Sequence, residues 1–410
     1  DAAPQLGGRA RRVEVTLGDR RYALDNGQHL LIGAYRDTLA LMARVGVDPD
    51  RVLLRQPFAL RYADGFALRA AALPAPLHLA FALLTARGLP WSARLAMLRA
   101  VERWKRAGWR ADDNATADTL MQGQPTVLVE RVWEPLCVAA LNVRLREASA
   151  QVLLTVLRDS LGADRRASDL LVPRGDLSTV LPDAAATWLT QHGATLLLRT
   201  PVDSLAPGRA GWVVHARDRQ VEADAVLLAV PPERAAALLR SVNAPPLTQA
   251  IVLLERIRSA PIATGYLRYP AGTRLPHGVY ALREDPARGH FGQWVFDRGQ
   301  LDAGCDGVLS VIISAAGAHE ALDHTALAAA VAAQLRTTFA LPAPIAARVI
   351  EDKRATVVPG PGLRRPSAAL PLSGLALAAD AADSPYPSTL EGSVRSGLAA
   401  ARALLSDAAR

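Results

Sequence analysis

The segment that most constrains the fold is a short apolar run near the end of the chain. Residues 375–380 read Leu-Ala-Leu-Ala-Ala-Asp, and after a loop through Pro387 a helical pattern begins at Leu390. A buried strand that ends in a carboxylate and leads to a helix is typical of α/β proteins that bind a ligand at the carboxyl ends of their strands. The free N–H groups and positive dipole end of such a helix suit an electron-rich ring edge or developing negative charge.

Strands and helices alternate along the rest of the chain, which predicts an α/β fold with a helical insertion at about 75–170. Residues 12–17 and 21–24 predict a hairpin around Gly18-Asp19. Apolar spacing of three and four residues predicts the following helices: 38–45, 77–110, much of 115–171, 325–339 and 390–405. Short β-rich runs predict the following strands: 195–202, 211–215, 224–230, 251–255, 278–282, 307–314 and 374–378.

Composition excludes several classes of protein. The chain has 410 residues, 50% of them hydrophobic and 21% charged, so it is globular and long enough for two or three domains. Two cysteines exclude a disulfide framework and a CxxC zinc site, so we expect no metal and a reducing, cytoplasmic compartment. The net charge of +8 comes with no nucleic-acid-binding motif, so no nucleic-acid partner is predicted. No uncharged apolar run is long enough to span a membrane.

The first residues resemble the second half of a dinucleotide-binding unit. Asp1 can accept hydrogen bonds from ribose hydroxyls, Gly7 and Gly8 let a backbone approach a pyrophosphate, and Arg9 can neutralise it. The alternative is an ordinary Gly-Gly turn before a strand. The matching GxGxxG loop is absent from the sequence, and its expected place is about 30 residues before Asp1, so we expect the protein to continue upstream.

Two further segments carry candidate site residues. In 24–35, Gly27 and Gly33 bracket polar groups, and such a turn can present its backbone and His29 to a flat ligand. The alternative for His29 is a structural histidine. The segments 200–205 and 223–232 predict a strand end, a meander and a buried strand that return the chain to the nucleotide beside its adenine; read alone, they equally suit an ordinary sheet.

Taken in order, these segments resemble the FAD-binding amine-oxidase and carotenoid-desaturase superfamily. Within that superfamily, their amino-acid sequences resemble those of the bacterial hydroxysqualene dehydroxylases. The segments that carry this resemblance are 25–35, 133–142, 157–162, 167–174 and 386–397. The resemblance implies a discontinuous Rossmann-type (GR2-like) FAD-binding domain and an α+β substrate domain. The FAD-binding domain would comprise 1–60, 165–240 and 365–410. The substrate domain would have a helical lobe at 65–160 and a sheet at 245–345.

The resemblance also assigns residues to FAD by position: Asp1, Gly7, Gly8, Arg9, Asn26, Gly27, Gln28, His29, Val202, Asp380 and Leu390. The first four would contact the adenosine ribose and the pyrophosphate, 26–29 would line the flavin ring, and Val202 would meet the adenine through its backbone. Asp380 would bind ribityl or phosphate oxygens, and the Leu390 N–H would face the pyrimidine edge. One departure is Ala379, where the family usually has glycine before the aspartate.

The implied reaction converts hydroxysqualene and reduced flavin to squalene, in squalene and hopanoid biosynthesis. The departing hydroxide needs a proton, and the candidate general acids are His29 and Glu134. Glu134 has a structural alternative as an ion-pair partner. The implied partners are a hydrophobic C30 isoprenoid substrate and other enzymes of the squalene pathway.

The segment 77–110 suits contact with a membrane. An apolar run, 77–84, precedes a stretch with three tryptophans and a single acid, Glu102. Its basic residues are Arg87, Arg94, Arg99, Arg103, Lys105, Arg106 and Arg110. This pattern predicts an interfacial helix and peripheral binding to the inner membrane face. The alternative is an amphipathic helix packed on the domain.

Other functions fit parts of the same pattern. A carotenoid-type desaturase or an amine oxidase of the superfamily is one alternative, although an amine oxidase should line its flavin with aromatic residues and this chain has only 6 Phe and 7 Tyr. A lipid-binding or scaffold protein without flavin is the alternative from a different class.

Overall fold

The computed structural model describes residues 1–71, 73–75, 77–161, 164–217 and 219–408. The remaining positions, some of which belong to predicted segments, lie outside the described residues: 72, 76, 162, 163, 218, 409 and 410. The described helices are α1 (Arg36–Arg44), α2 (Pro49–Val52), α3 (Leu77–Leu84), α4 (Trp91–Arg106), α5 (Thr126–Leu128), α6 (Glu134–Leu141), α7 (Ala150–Leu161), α8 (Leu177–Val180), α9 (Pro182–Gln191), α10 (Pro232–Ser241), α11 (Thr248–Glu255), α12 (His324–Phe339) and α13 (Leu390–Ala408).

The described strands are β1 (Arg12–Leu17), β2 (Arg20–Asp25), β3 (Leu31–Ile32), β4 (Leu53–Gln56), β5 (Ala59–Arg61), β6 (Ala67–Arg69), β7 (Leu170–Pro173), β8 (Ser204–Pro207), β9 (Trp212–Ala216), β10 (Arg219–Ala223), β11 (Val226–Leu228), β12 (Ser259–Arg268), β13 (Val279–Ala281), β14 (Trp294–Asp297), β15 (Val308–Ser314), β16 (Ala346–Val357) and β17 (Leu375–Leu377). Helices and sheets are mixed along the chain, as the α/β prediction requires.

The largest sheet has five antiparallel strands in the order β13-β14-β15-β12-β16. Successive side chains of a strand point to opposite faces, and β12 shows this alternation clearly. One face packs on α12: Ala263 and Leu267 share a buried core with Val331 and Leu335. Gly265 lies on this face, where an added Cβ would touch Val331.

The opposite face of β12 holds the hairpin of β1 and β2 and the turn that follows it. The Tyr266 hydroxyl donates to the Asp25 carbonyl at 2.9 Å. Arg268 forms an ion pair with Asp19 at 2.6 Å. Thr264, two residues before Tyr266, lies beside Gly27. The alternation in β12 therefore fixes the turn 26–29 against this face of the sheet.

A helical lobe built from α3 to α7 forms the largest buried core. Trp104 of α4 meets Trp133 edge to face at 5.3 Å. Trp294 and Phe296 of β14 belong to the same core, so the lobe packs on the sheet. Asn142 strengthens this junction, because its side-chain amide donates to the Pro261 carbonyl at 3.1 Å.

A third part of the chain surrounds the parallel pair β11 and β17. These two strands share a buried core with α10 and α11. The antiparallel sheet β10-β9-β8 contributes Trp212 and Leu205 to the same core. Parallel pairing beside helices fits the α/β class. The division into domains stays a prediction.

Two secondary-structure predictions are wrong. Residues 251–255 belong to helix α11, where Ala250 and Leu254 are buried one helical turn apart; a short apolar run does not distinguish the two structures. Residues 195–202 form no strand: the backbone of Leu197, Arg199 and Thr200 hydrogen-bonds to residues 1–3, and the Val202 carbonyl accepts from Arg234. The region 115–171 is mostly helical, as predicted, although its last two residues begin the fully buried strand β7.

Strand β16 has no counterpart in the sequence predictions. Its run of charged residues, Glu-Asp-Lys-Arg, masks the apolar positions Val349 and Val357, which are buried. Across the described residues, no helix combines the length and the apolarity needed to cross a membrane.

Candidate flavin site

The loop before α13 is organised around one buried carboxylate. Asp380 is 3% exposed, and its Oδ1 accepts a hydrogen bond from the Ser388 N–H at 2.9 Å. Its Oδ2 forms an ion pair with Arg9. The Arg365 guanidinium, also buried, donates to the Asp380 carbonyl at 3.4 Å. The structure therefore brings together two predicted site residues, Arg9 and Asp380, and both carboxylate oxygens are engaged by protein groups.

The Gly-Gly-Arg turn lies at the same place. Arg9 also donates to the carbonyls of Arg354 and Ala355, at 3.1 and 2.8 Å, so it joins the first turn to β16. Gly8 has a φ of +59°, and an added Cβ would meet open space. Gly7 has a φ of +105°, and an added Cβ would come within 2.7 Å of the Ala10 carbonyl oxygen. Gly8 can therefore present its backbone to a ligand, whereas Gly7 shapes the turn.

The N-terminus of α13 is built for close approach. The Thr389 hydroxyl caps it by accepting from the Gly392 N–H at 2.9 Å. Gly392 itself is required, because a Cβ there would lie 1.9 Å from the Tyr386 carbonyl oxygen. Among the described residues, the Leu390 N–H has no hydrogen-bond acceptor. It is thus free to donate to a ligand, as predicted for the pyrimidine edge.

Glu391 is a site residue that the sequence predictions missed. This buried carboxylate accepts from the Thr38 N–H at 3.0 Å and from the Thr38 hydroxyl at 2.8 Å. It thereby caps α1 and fixes the angle between α1 and α13. An acidic residue in the first turn of a helix is ordinarily explained by the helix dipole. The sequence therefore offers no reason to expect that Glu391 contacts another helix.

The turn 26–29 presents His29 in a defined tautomer. His29 Nδ1 lies 2.5 Å from the Gly27 carbonyl oxygen. Because a carbonyl only accepts, Nδ1 carries the proton and Nε2 is left as an acceptor in the neutral ring. Burial, opposed by the Gly27 carbonyl and assisted by Arg9, lowers the pKa of His29 below its usual value. The ring is therefore neutral at pH 7.

The other side chains of this turn hold it in place. Gln28 is buried, and its Oε1 accepts from the Ser310 hydroxyl at 3.1 Å and from Arg298 at 3.3 Å. The Asn26 N–H donates to the Arg11 carbonyl at 2.9 Å. Gln28 thus anchors the turn to β15, and its role toward the flavin stays a prediction.

Asp25 and Thr264 lie directly beneath the turn and were not predicted. Asp25 Oδ1 accepts from the Leu177 N–H at 2.7 Å, while burial raises the pKa of this carboxyl to about 7. The Thr264 hydroxyl is buried without a hydrogen-bond partner among the described residues. It lies 3.7 Å from where a Cβ of Gly27 would stand. Because protein atoms cover this hydroxyl, Thr264 supports the turn from below and does not itself reach a ligand.

The segments that carry Asp1 and Val202 also meet. The Asp1 carbonyl accepts from the Thr200 N–H at 2.8 Å, and Asp1 Oδ1 accepts from the Ala3 N–H at 2.8 Å. The Val202 carbonyl accepts from Arg234. The structure thus joins the two segments assigned to the adenosine half, and their ligand contacts stay predictions.

Glu134 lies in an ion-pair cluster of its own. Its Oε2 accepts from the Leu145 N–H at 3.2 Å, and its Oε1 lies 3.6 Å from Arg144. Arg144 in turn forms a bidentate pair with Glu284 at 2.6 and 2.7 Å. Burial raises the pKa of Glu134, although the hydrogen bond from the Leu145 N–H and the charge of Arg144 both act to lower it. This geometry matches the structural alternative for Glu134; none of these contacts belongs to the turn 26–29.

Comparison with known proteins decides the family. The profile described as flavin containing amine oxidoreductase matches residues 1–405. The chain belongs to this family. It is therefore an FAD-dependent oxidoreductase, and the family match does not support the alternative of a lipid-binding protein without flavin.

Relatives and solved structures agree with that assignment. A hydroxysqualene dehydroxylase of Rhodopseudomonas palustris is 30% identical over 305 residues, covering 72% of this chain and 67% of the relative. A hydroxysqualene dehydroxylase of Zymomonas mobilis is 24% identical, covering 99% and 92%. Cyclohexylamine oxidase of Brevibacterium oxydans superposes with a TM-score of 0.70 at 17% identity, covering 100% and 93%; this likeness shows the fold alone.

The residues present fit FAD. The α13 N-terminus offers the free N–H of Leu390, and Gly8 borders open space at the Gly-Gly-Arg turn. Arg9 supplies a positive charge and Asp380 a negative charge. These donors and acceptors are those that a pyrophosphate, a ribityl chain and a flavin ring require.

Proposed function

We propose that this protein reduces hydroxysqualene to squalene. The observation that carries the proposal is the similarity to hydroxysqualene dehydroxylases, with 30% identity to the Rhodopseudomonas palustris protein and matching segments at 133–142, 157–162 and 167–174, in and directly after the helical lobe. We propose further that the protein serves squalene and hopanoid biosynthesis beside the enzymes that make the alcohol and use the hydrocarbon.

The reaction needs one bond broken and one formed. The allylic C–O bond breaks, the oxygen leaves as water after gaining a proton, and a hydride adds to the carbon chain. Reduced FAD in its neutral form, FADH2, would supply that hydride and one proton when bound, so that the alcohol and FADH2 give the hydrocarbon, water and FAD. The protein must therefore hold the substrate hydroxyl, orient the allylic carbon and exclude water.

His29 is suited to hold the hydroxyl. Its Nδ1 proton is committed to the Gly27 carbonyl, which leaves Nε2 to accept a hydrogen bond. Since burial lowers the pKa of His29, the neutral ring positions the hydroxyl at pH 7 and is a poor proton donor. This assignment revises the role of general acid that the sequence suggested for His29.

Apolar side chains lie near the turn. Next to Thr264, across the sheet, are Ile312 and then Trp294, which belong to or pack against the helical-lobe core. Such apolar surroundings favour an isoprenoid through burial of its surface, while the polar turn would select the position of the hydroxyl.

The proposal is tested by offering competing substrates. Incubation with reduced FAD and hydroxysqualene without oxygen should give squalene, measured by mass spectrometry. Peroxide release from amines in air would instead establish an amine oxidase. Dehydrogenation of a polyene by oxidised FAD would establish a carotenoid-type desaturase, and either result without squalene formation would overturn the proposal.

A further inference from the structure

Two neighbouring helices carry exposed apolar stripes with the same spacing. On α3 the stripe consists of Leu77, Phe81 and Leu84. On α4 it consists of the following residues: Trp91, Leu95 and Leu98. Each set follows the spacing i, i+4, i+7, which places its members on one side of a helix. Leu77, Leu84 and Trp91 are 57%, 58% and 68% exposed, and exposed apolar side chains grouped in this way mark an interaction surface.

The inward faces of the same helices account for their packing. His78, Ala82 and Leu83 of α3 are buried, as are Ala93 and Trp104 of α4. The exposed stripes are therefore additional to the residues that hold the helices on the lobe. The alternative of an ordinary packed amphipathic helix explains the buried residues and leaves the exposed stripes without a partner in the described chain.

Arg94 fixes how the two helices meet. Its Nε donates to the Leu89 carbonyl at 2.9 Å, and its Nη2 donates to the Ala86 carbonyl at 2.6 Å. Nη1 donates to the Leu84 carbonyl at the end of α3. The guanidinium also lies 4.4 Å from the centre of the Trp91 ring. One side chain thus joins the end of one stripe to the start of the other.

Positive charge continues from the apolar stripes along α4. A shallow cleft of about 400 Å³ is lined by Leu98, Arg99, Glu102, Arg103 and Arg106. Glu102 is paired with Arg106 at 3.0 Å, so the cleft keeps a net positive charge from Arg99 and Arg103. Lys105 and Arg110 are exposed nearby in the sequence. Apolar residues bordered by exposed arginines complement the acyl region and the phosphates of an anionic bilayer.

We infer that α3 and α4 form a docking surface for an anionic lipid bilayer. The α3–α4 surface inserts the two stripes among the lipids, and the arginines of the cleft bind the lipid phosphates. Of the three tryptophans in 77–110, Trp91 takes part, whereas Trp104 is buried against Trp133 and Trp109 is half-buried. The inference does not depend on the proposed reaction, since it concerns binding to lipid without substrate.

The test is sedimentation of the full protein with vesicles. Vesicles of phosphatidylcholine with phosphatidylglycerol should bind the protein, vesicles of phosphatidylcholine alone should bind it weakly, and high salt should weaken the binding. The double variant Trp91→Gln/Leu98→Gln should lower vesicle affinity by about ten-fold or more. The double variant Arg99→Gln/Arg103→Gln should lower it by roughly ten-fold at low salt, and little at high salt.

Matched controls lie elsewhere on the surface. Leu405→Gln removes an apolar side chain that is 71% exposed on α13, and Arg336→Gln removes an exposed arginine on α12. Both should bind vesicles as the unaltered protein does. Circular dichroism confirms that each variant is folded. Failure of the unaltered protein to bind anionic vesicles, or equal binding by the stripe variant, would overturn the inference, as would burial of the stripes in a dimer that excludes lipid.

Discussion

Arg9 and Asp380, 371 residues apart in the sequence, form an ion pair that joins the first turn of the chain to the loop before its last helix. The carboxylate is buried, while the guanidinium is partly exposed and also donates to two carbonyls of β16. Three distant segments therefore meet at one polar centre. We expect the flavin site to be lost whenever this centre is disturbed.

The first prediction concerns the centre itself. Asp380→Asn removes the negative charge that Arg9 and the Ser388 N–H share, so it should lower the free energy of unfolding by about 1–3 kcal/mol. It should also lower the amount of FAD that co-purifies with the protein. Chemical denaturation and flavin absorbance measure the two effects. Asp383→Asn, at an exposed carboxylate 3.8 Å from Arg365, is the matched control and should change neither.

The second prediction concerns backbone strain beside Asp380. Ala379 has a φ of +58°, in the left-handed region that costs a non-glycine residue about 1–2 kcal/mol. Ala379→Gly should raise the free energy of unfolding by about 0.5–1 kcal/mol, after the greater freedom of glycine in the unfolded chain is subtracted. The glycine that the resemblance led us to expect here is thus explained by conformation. Ala381→Gly, at a buried position with negative φ, should instead lower the free energy of unfolding. If both glycine variants lower it equally, backbone strain at Ala379 is not the explanation.

The third prediction concerns Asp25. The folded protein raises the pKa of this carboxyl from its ordinary value to about 7, so between about pH 4 and pH 7 the folded state keeps a proton that the unfolded state releases. The wild-type protein therefore loses stability as pH rises through this window. Asp25→Asn removes the effect, so the variant should gain stability relative to the wild type from about pH 4 to pH 7. The free energies of unfolding of the variant and the wild type are measured by denaturant unfolding. If their difference does not change with pH, the raised pKa of Asp25 is refuted.

The fourth prediction separates the two residues first considered as general acids. Glu134→Gln keeps the hydrogen bond to Leu145 in an ion-pair cluster, so turnover should stay within about two-fold of the wild type. His29→Gln should lower turnover by about ten-fold or more, because the acceptor for the substrate hydroxyl is misplaced. Initial rates with bound FAD measure both. If Glu134→Gln abolishes turnover while keeping FAD and stability, the ion-pair interpretation is wrong.

The sequence predicted the fold class and its segments because local patterns carry that information. The hairpin before residue 25, α12 and α13 follow directly from turn residues and apolar periodicity. Helix α11 and strand β16 do not, because a short apolar run is ambiguous and a charged run hides alternate burial. Local pattern is weakest where tertiary packing decides the structure.

Much of the candidate site could be named from a resemblance, but its internal contacts could not. The pairing of Arg9 with Asp380 and the capping of α1 by Glu391 join residues more than 350 positions apart. Thr264 has no motif around it and becomes visible only because the turn 26–29 is placed over it. The orientation of His29 likewise depends on one backbone carbonyl, and on that contact we base the proposal that its ring accepts a hydrogen bond from the substrate instead of donating a proton.

The central claim is that the protein removes the hydroxyl group of hydroxysqualene in a reaction that oxidises reduced flavin. Its most direct test is a single turnover without oxygen, in which flavin absorbance is followed while squalene is quantified by mass spectrometry. We predict one squalene formed for each flavin oxidised, with no squalene when flavin begins oxidised. Flavin that stays reduced in the presence of hydroxysqualene, with the alcohol recovered unchanged, would contradict the claim.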